Sequence, residues 1–180
     1  KYGGTSVGTT EKIKRIAKRV IAEKEKGNDM VVVVSAMGKT TDHLVEMSKE
    51  IAINPNKREM DLILSTGEQV SIALLSMAFQ EFGYDAIALT GFQAGIKTYG
   101  PHTKNKILDI DDEKIKNYLK EGKVVVVAGF QGVNENGDIT TLGRGGSDTT
   151  AVAIAAKLAC PCHIYTDVDG IYSVDPRLYK

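Results

Sequence analysis

The spacing of apolar and polar residues predicts that strands and helices alternate along the chain. Residues 30–35 and 124–128 are almost unbroken runs of valine, which is typical of parallel strands covered on both faces. Residues 10–26 place isoleucine, valine and alanine at helical spacing between charged side chains, so they predict an amphipathic helix with a threonine cap. The order of these elements predicts the βαβ units of an α/β fold.

The remaining elements follow from the same patterns. Helices are predicted at residues 42–52, 58–82, 111–120 and 149–159, and strands at residues 86–89, 107–110 and 162–165. Ser65, Thr66 and Gly67 interrupt residues 58–82, so we predict two helices there with the glycine as the hinge between them. The sequence NENGD at residues 134–138 predicts a hairpin turn.

The connection at residues 90–106 is polar, contains several glycines and is long for a compact domain. Connections of this length usually form a lid or a wall of a binding site, or contain short strands of their own. His102 lies within it, and a single histidine in a loop is more often a solvated or hydrogen-bonded surface group than a catalytic one. We therefore favour a surface role for His102.

Composition changes this picture mainly by exclusion. The 180 residues carry 23 basic and 23 acidic side chains, so no basic field points to nucleic acid. Cys160 and Cys162 flank a proline, and we predict two buried thiols rather than half of a metal or redox site. No secretory signal and no apolar run of membrane-spanning length is expected, which favours a cytoplasmic protein without a membrane partner. The chain starts at Lys1 on a glycine turn, without a methionine, and is expected to be a piece of a longer protein.

The sequence TTLGRGGSDTT at residues 140–150 predicts a binding site for an anion. Its glycines let the backbone approach a ligand closely, and the helix after it offers amide groups and the positive end of its dipole. Ser147 or Asp148 is expected to cap that helix. Arg144 adds a guanidinium group whose planar donors match a carboxylate or a phosphate. We therefore predict that this loop holds an anionic substrate.

Several glycine-bearing turns follow predicted parallel strands, and ligands of open α/β sheets bind at the carboxyl ends of the strands. The polar groups expected to converge there are Lys1, Thr41, Glu68, Arg144, Asp148 and the loop at residues 167–177. Such a set suits phosphoryl transfer, in which catalysis consists mainly of positioning and of charge neutralisation. No Walker motif or protein-kinase motif occurs, and the lack of GxGxxG spacing weighs against a dinucleotide dehydrogenase.

The loop TDVDGIYSVDPR at residues 166–177 contains three aspartates, a glycine, a tyrosine and an arginine. This composition predicts the edge of a nucleotide site or a cation site, and a turn-rich connection is the simpler alternative. A calcium-binding loop is disfavoured because the terminal glutamate and the preceding helix are missing.

In order, the chain contains the segments KYGGTSVG, VVVVSAMGKTTD, LSTGEQVS, LTGFQAGI, VVVAGFQG, TTLGRGGSDTTA and IYTDVDGIYSVDPR. Together they resemble the aspartokinases of the amino acid kinase family over essentially the whole chain. The resemblance implies a three-layer αβα sandwich around a mainly parallel sheet. It also implies the phosphorylation of L-aspartate by MgATP to 4-phospho-L-aspartate and ADP, the first step toward lysine, threonine and methionine.

The resemblance assigns roles to individual residues. Lys1 matches the lysine that stabilises the transferring phosphoryl group, and Gly3 and Gly4 match the backbone amides around the ATP phosphates. Thr41 and Glu68 match residues that contact aspartate, and Glu68 is suited to the ammonium group of that substrate. The simpler alternatives are a surface role for Lys1 and helix-capping roles for Thr41 and Glu68.

In the predicted anion loop, Arg144 matches the arginine that grips the α-carboxylate of aspartate, and Ser147 is assigned to the same substrate site. Asp148 matches the aspartate that orients the lysine and the substrate, with a helix cap as the simpler alternative. The residues that match the wall of the adenine nucleotide pocket are Thr166, Asp167, Tyr172 and Arg177. No residue is assigned to a metal, because Mg²⁺ is expected to be held mainly through the ATP phosphates. No general base is assigned, since a carboxylate is already ionised at pH 7.

Two other functions stay open. One is a kinase of the same family that acts on glutamate, acetylglutamate, carbamate or UMP, although the pair of Arg144 and Glu68 favours an α-amino acid. The other is a non-catalytic fragment for assembly or effector binding. By the resemblance, residues 1–180 are a catalytic domain that is incomplete at both ends. The rest of the nucleotide site and the regulatory ACT domains, which are expected to make the protein an allosteric homo-oligomer, would lie outside them.

Overall fold

The computed structural model describes residues 1–143 and 145–166, in which helices and strands alternate. The helices are α1 (Thr10–Lys24), α2 (Thr40–Ile51), α3 (Lys57–Glu81), α4 (Glu113–Lys120) and α5 (Gly146–Leu158). The strands are β1 (Val31–Val34), β2 (Ala86–Leu89), β3 (Ile96–Tyr99), β4 (Lys106–Ile110), β5 (Val124–Ala128), β6 (Gln131–Val133) and β7 (Ile139–Thr141).

The centre of the fold is a parallel sheet in which β5 lies between β1 and β2. The strands pair in register, with Val33 of β1 opposite Val127 of β5. All of β5 is buried, which explains why its sequence is a continuous apolar run rather than an alternating one. Tyr2 extends the sheet through parallel bridges to Val34 on one side and Tyr165 on the other.

Side chains from the two faces of β5 enter two separate hydrophobic cores. One core contains Val124 and Val126 together with buried residues of α1 and α3. The other contains Val125 and Val127 together with buried residues of α4, α5, β3 and β4. Successive side chains of a strand point to opposite faces, so this division puts helices on both sides of the sheet. The α/β class and the layered arrangement predicted from the sequence are confirmed.

A second sheet has the strand order β4-β3-β6-β7. Its outer pairs are antiparallel, whereas β3 and β6 run parallel. The connection at residues 90–106 supplies β3, so it does contain a short strand. The turn predicted at residues 134–138 joins β6 to β7, and there the Asn134 side chain accepts hydrogen bonds from the backbone N–H groups of Asn136 and Asp138 at 3.0 and 2.9 Å. Strands this short show too little periodicity for the sequence to predict the sheet as a whole.

α3 is a single helix of 25 residues, and the predicted hinge at Gly67 is wrong. The hydroxyl groups of Ser65 and Thr66 donate to carbonyl groups one turn earlier, at 2.8 and 2.6 Å, and therefore do not interrupt the helix. Gly67 has a packing role instead, because a Cβ atom at this position would lie 2.8 Å from the Cβ of Ala36. The glycine allows α3 to pack closely against the loop after β1.

Replacing Gly67 with alanine tests this packing role. Alanine is the better helix former by about 1 kcal/mol, yet we expect a net loss of about 1–3 kcal/mol because its methyl group would overlap Ala36. Thr66→Ala, at the exposed neighbouring position, is the control and should change stability by less than about 0.5 kcal/mol. Urea unfolding followed by circular dichroism measures both variants. A Gly67→Ala protein more stable than the wild type would show that the glycine is not needed for packing.

By length and composition alone, α3 could also cross a membrane, which corrects the expectation that the chain contains no such run. Half of its apolar window is buried inside the protein, and its buried face includes Asp61 and Glu68. The core helix of a folded domain passes the same test. α3 packs against α1 and β5 and contributes to the first hydrophobic core, so we assign it to that class.

The last described segment corrects two further expectations. Cys160 and Cys162 are exposed rather than buried, because the segment lies at the edge of the sheet beyond Tyr2. Residues 162–165 do not form a strand, since Tyr165 alone makes a bridge there. The Tyr165 ring stacks on that of Tyr2 at a centroid distance of 4.7 Å, so an aromatic contact anchors this end of the segment.

Candidate active site

A cleft of about 250 Å³ opens at the carboxyl ends of β1 and β5, where an open α/β sheet binds its ligands. It lies between the loops after these strands, the body of α3 and the first turn of α5. Its lining residues are Lys1, Gly4, Ser35, Ala36, Gly38, Thr41, Glu68, Phe130, Gly143, Gly145, Gly146, Ser147 and Asp148. The structure thus brings together Lys1, Thr41, Glu68 and Asp148, as the sequence predicts.

Lys1 and Asp148 form an ion pair in the wall of the cleft. Lys1 Nζ lies 2.7 Å from Asp148 Oδ1, and the lysine side chain is only 9% exposed. An ammonium group has three donors, so the pair leaves Lys1 able to bind a second anion. Asp148 lies in the first turn of α5, where the helix dipole favours a negative charge. The ammonium group is therefore held beside the N-terminus of this helix.

α5 begins at Gly146, after Gly145, whose φ of +74° is left-handed. The expected cap at Ser147 or Asp148 is wrong, because both residues lie inside the first turn and no side chain makes the capping hydrogen bond. Asp148 pairs with Lys1 instead. The start of a helix without a side-chain cap offers its amide groups to a ligand, which is the arrangement that binds carboxylates and phosphates.

Glu68 is a buried carboxyl group with one oxygen that has no protein partner. Its Oε1 accepts a hydrogen bond from the Ala36 backbone N–H at 3.1 Å. Its Oε2 is buried and has no hydrogen-bond partner among the described residues. Burial raises the pKa of Glu68 to about 7, although the Ala36 hydrogen bond acts in the opposite direction. A carboxyl group in this state is suited to a cationic ligand, whose charge would compensate its burial.

The raised pKa of Glu68 predicts a pH-dependent stability. Between the ordinary pKa of 4.5 and the folded-state pKa of about 7, the folded protein binds more protons than the unfolded chain. Stability should therefore fall by up to about 3 kcal/mol as the pH rises through this range, and should not fall further above it. Glu68→Gln keeps the acceptor for Ala36 but cannot ionise. Its melting temperature should exceed that of the wild type at pH 8 and approach it near pH 5, and a constant difference would contradict the pKa assignment.

Two glycine turns meet beside the cleft. The Gly38 N–H donates to the Gly4 carbonyl at 3.0 Å. A Cβ atom on Gly4 would lie 2.8 Å from the carbonyl oxygen of Ala36, so only a residue without a side chain fits here. Gly3 lies next to the Lys1 ammonium group, because a Cβ atom added to this glycine would lie 3.6 Å from Lys1 Nζ. The backbone of this turn is thus close to the positive charge of the cleft.

Thr41 and Ser147 both line the cleft. α2 begins at Thr40 with Lys39 at its N-cap, and no side chain caps it, so the capping alternative for Thr41 is wrong. Ser147 packs against Gly129 so closely that a Cβ atom there would lie 2.7 Å from the serine side chain. The loop after β5 therefore fixes the first turn of α5.

Comparison with known proteins decides the family. The sequence profile of the amino acid kinase family matches residues 1–180. The chain belongs to this family. The aspartokinase of Geobacillus stearothermophilus is 62% identical to it, and aspartokinase 2 of Bacillus subtilis is 61% identical. Each alignment covers 100% of this chain and 44% of the relative, so this family member spans less than half the length of those proteins.

Solved structures share the fold of this amino acid kinase family member. The aspartate kinase from Synechocystis superposes with a TM-score of 0.82 at 55% identity, covering 99% of this chain and 29% of the other. E. coli aspartokinase III, solved in complex with aspartate and ADP, superposes with a TM-score of 0.84 at 26% identity, covering 98% of this chain and 50% of the other. The fold that the sequence resemblance implies is confirmed.

Four predicted site residues lie outside the described part of the chain. They are Arg144, Asp167, Tyr172 and Arg177. Their assignments to the α-carboxylate and to the nucleotide wall stay predictions. Thr166 is described and exposed, and it is not among the residues that line the cleft.

The structure adds Phe130 to the cleft, a residue that the sequence analysis does not single out. It follows β5 with a φ of +70°, which is rare for a bulky residue. Its N–H donates to Thr150 Oγ1 at 3.1 Å, and its carbonyl accepts from the Leu142 N–H at 2.8 Å. Residues held in such conformations cluster at binding sites. Gly129, which follows the valine-rich strand β5, is the one feature of the sequence that points to the position of Phe130.

Proposed function

We propose that this amino acid kinase family member is part of an ATP-dependent L-aspartate kinase. The observation that carries the proposal is the combination of Lys1 Nζ, the start of α5 and the unpartnered Glu68 Oε2 in one cleft. An ammonium group would complement Glu68, and carboxylate and phosphate groups would complement the other two. The names of the relatives, aspartokinase and aspartate kinase, agree with this substrate.

In the proposed reaction, an oxygen of the aspartate side-chain carboxylate attacks the γ-phosphorus of ATP. The bond between that phosphorus and the bridging oxygen breaks, and ADP leaves. The products are 4-phospho-L-aspartate and ADP. The carboxylate is already ionised at neutral pH, so no side chain has to remove a proton. The protein would act by positioning the reactants and by neutralising charge.

Lys1 is proposed to stabilise the phosphoryl group during transfer, and Asp148 to orient the lysine. This pairing rests on the distance of 2.7 Å between the two groups. Gly3 and Gly4 are proposed to offer backbone amides to the ATP phosphates. Their turn lies beside the Lys1 ammonium group, so both interactions would act on the same phosphate chain.

Glu68 is proposed to bind the ammonium group of aspartate, because its Oε2 is buried without another partner. Thr41 and Ser147 are proposed to contact the same substrate from the cleft walls. Arg144 is proposed to bind the α-carboxylate, since it follows Gly143, which lines the cleft. The proposed substrate site thus offers the Glu68 carboxyl group to the ammonium group of aspartate and the Arg144 cation to its α-carboxylate.

Mg²⁺ is proposed to enter with ATP. Within residues 1–143 and 145–166, no three histidine, cysteine, aspartate or glutamate side chains lie close enough together to hold a metal ion. The metal would be held mainly through phosphate oxygens and would neutralise part of their charge. The proposed wall of the nucleotide pocket consists of Thr166, Asp167, Tyr172 and Arg177.

We also propose that residues 1–180 belong to the catalytic domain of a longer, cytoplasmic protein that assembles as a homo-oligomer through regulatory ACT domains. The 44% coverage of the aspartokinase relatives supports the longer chain. E. coli aspartokinase III has been solved with lysine and aspartate in a T-state, which agrees with allosteric control by an end product. The pathway would be the one that leads to lysine, threonine and methionine.

Trapping the acyl phosphate with hydroxylamine tests the proposed acceptor. The full-length protein receives MgATP and, in separate reactions, L-aspartate, L-glutamate or N-acetyl-L-glutamate. We expect hydroxamate with L-aspartate only, and its loss in Arg144→Ala. Hydroxamate from another acceptor but not from L-aspartate would identify a different kinase of the family. No hydroxamate from any of the three acceptors would favour a carbamate or UMP kinase of the family, or a non-catalytic role.

A further inference from the structure

Asp61 is a buried carboxylate that the proposed reaction does not use. It lies on α3 seven residues before Glu68, about two helical turns away, and is fully buried. Its oxygens accept hydrogen bonds from the Thr103 N–H at 3.0 and 3.2 Å and from the Thr141 hydroxyl group. His102 Nδ1 lies 2.5 Å from Oδ2. An ionised carboxylate oxygen only accepts, so the tautomer of His102 with a hydrogen on Nδ1 makes this hydrogen bond, and of the two alternatives left by the sequence His102 is the hydrogen-bonded group.

The turn that contains His102 is strained and depends on this carboxylate. Thr103 has a φ of +68°, which is unfavourable for a β-branched residue. Its N–H is the group that donates to both oxygens of Asp61. In the same turn, Asn105 Nδ2 donates to the Pro101 carbonyl at 2.9 Å. A strained conformation persists only where the surroundings impose it, and here the buried carboxylate does so.

This turn is joined to the segment that enters the cleft. The Asn105 N–H donates to the Thr141 carbonyl at 3.1 Å, while the Thr141 side chain donates to Asp61. Thr141 is the last residue of β7, and Gly143 lines the cleft two residues later. Arg144 follows directly in the sequence. Asp61 therefore fixes Thr141 both directly and through the turn.

We propose that Asp61 and His102 are positioning residues that set where the chain after β7 meets the amino-acid substrate. This inference rests on the proposed aspartate kinase function. Neither residue lines the cleft, so their effect on the substrate passes through Thr141. A displacement of about 1 Å in a group that binds substrate can cost about 100-fold in activity. The effect should be specific to the amino acid, because among the described residues the turn at Gly3 and Gly4, which is proposed to bind the phosphates, packs against the loop after β1 rather than against the chain after β7.

Two matched pairs of substitutions separate positioning from general stability. Thr141→Val removes the hydroxyl group and keeps the branched shape, whereas Thr141→Ser keeps the hydroxyl group. His102→Ala removes the donor to Asp61, whereas His102→Asn offers a side-chain N–H near the position of Nδ1. Lys104→Ala is the control, because Lys104 is exposed in the same turn and its side chain has no hydrogen-bond or ion-pair partner within the described chain.

In the full-length protein, we expect Thr141→Val and His102→Ala to raise the KM for L-aspartate by about tenfold or more, while the KM for ATP changes by less than about twofold. Thr141→Ser, His102→Asn and Lys104→Ala should each stay within about threefold of the wild type. Steady-state kinetics with hydroxylamine trapping measures all of these values. If His102→Ala does not fold, the Thr141 pair decides.

An unchanged KM for L-aspartate in the two disruptive variants, or an equal rise in both KM values, would overturn the positioning role. The wild type separates this failure from that of the proposed function. A folded wild type that phosphorylates no L-aspartate would remove the proposed function, and this inference with it. A normal wild type with insensitive variants would remove the inference alone.

Discussion

Replacing Lys1 with methionine in the full-length protein is expected to lower kcat for aspartate phosphorylation by about 10³-fold. Methionine keeps most of the length and apolar volume of the side chain but carries no charge. The proposed role of Lys1 is to meet charge that develops on the phosphoryl oxygens, so the substitution should affect kcat far more than either KM. The lysine is almost buried, and its charge therefore acts through a medium of lower dielectric constant than water.

Two further variants define what the loss in Lys1→Met means. Asp148→Asn keeps an acceptor near Nζ but removes the ion pair, so it should cost less, about 10–100-fold in kcat. Lys14→Met removes an exposed lysine from α1 and should leave kcat within about twofold of the wild type. A Lys1→Met enzyme that keeps kcat within about tenfold of the wild type would exclude Lys1 from phosphoryl transfer.

The second large effect is expected from Glu68→Gln, which should raise the KM for L-aspartate by about 100-fold. Glutamine keeps the acceptor for the Ala36 N–H but cannot offer a charged oxygen to the ammonium group. A buried hydrogen bond between charged groups contributes about 1.5–3 kcal/mol, which sets the scale of the loss. Because the pKa of Glu68 is raised to about 7, the wild-type KM should also increase as the pH falls below 7. The KM of the variant should not show this increase.

Succinate supplies the matched ligand for this experiment, because it has the two carboxylates of aspartate without the ammonium group. As a competitive inhibitor, it should bind the wild type and Glu68→Gln with affinities within about threefold of each other. The variant would then have lost its preference for a ligand with an ammonium group, while its affinity for the two carboxylates would be unchanged. A wild-type KM for L-aspartate in Glu68→Gln would show that Glu68 does not bind the ammonium group.

The parts of the fold that burial alone decides could be predicted from the sequence. β2 and β5 lie at the predicted residues, and α1 buries the isoleucine and valine positions that its spacing indicates. These elements place apolar side chains against a core. The helical spacing of apolar residues in α1 and the continuous apolar run in β5 therefore indicate burial directly. The predicted cleft at the carboxyl ends of the strands follows from the same α/β architecture.

Several of the predictions that are wrong involve contacts between residues far apart in the sequence. Gly67 packs against Ala36 rather than forming a hinge, and Asp148 pairs with Lys1 rather than capping its own helix. For His102 the sequence leaves a solvated and a hydrogen-bonded group open, and it does not show that the partner is the buried Asp61. A local pattern records propensity and cannot show which distant group a side chain meets. The resemblance to a family, by contrast, pointed to Lys1 and Asp148 together, because the family pattern already assigns the aspartate to orient the lysine.

The most direct test of the aspartate kinase proposal is the position of the transferred phosphoryl group. L-Aspartate labelled with an NMR-active carbon at the side-chain carboxyl group is incubated with MgATP and the full-length protein, and carbon and phosphorus NMR follow the product. We predict an acyl-phosphate signal whose phosphorus couples to the labelled carbon and which forms in step with ADP. Consumption of ATP without this coupling, or no reaction by a folded protein, would contradict the proposal.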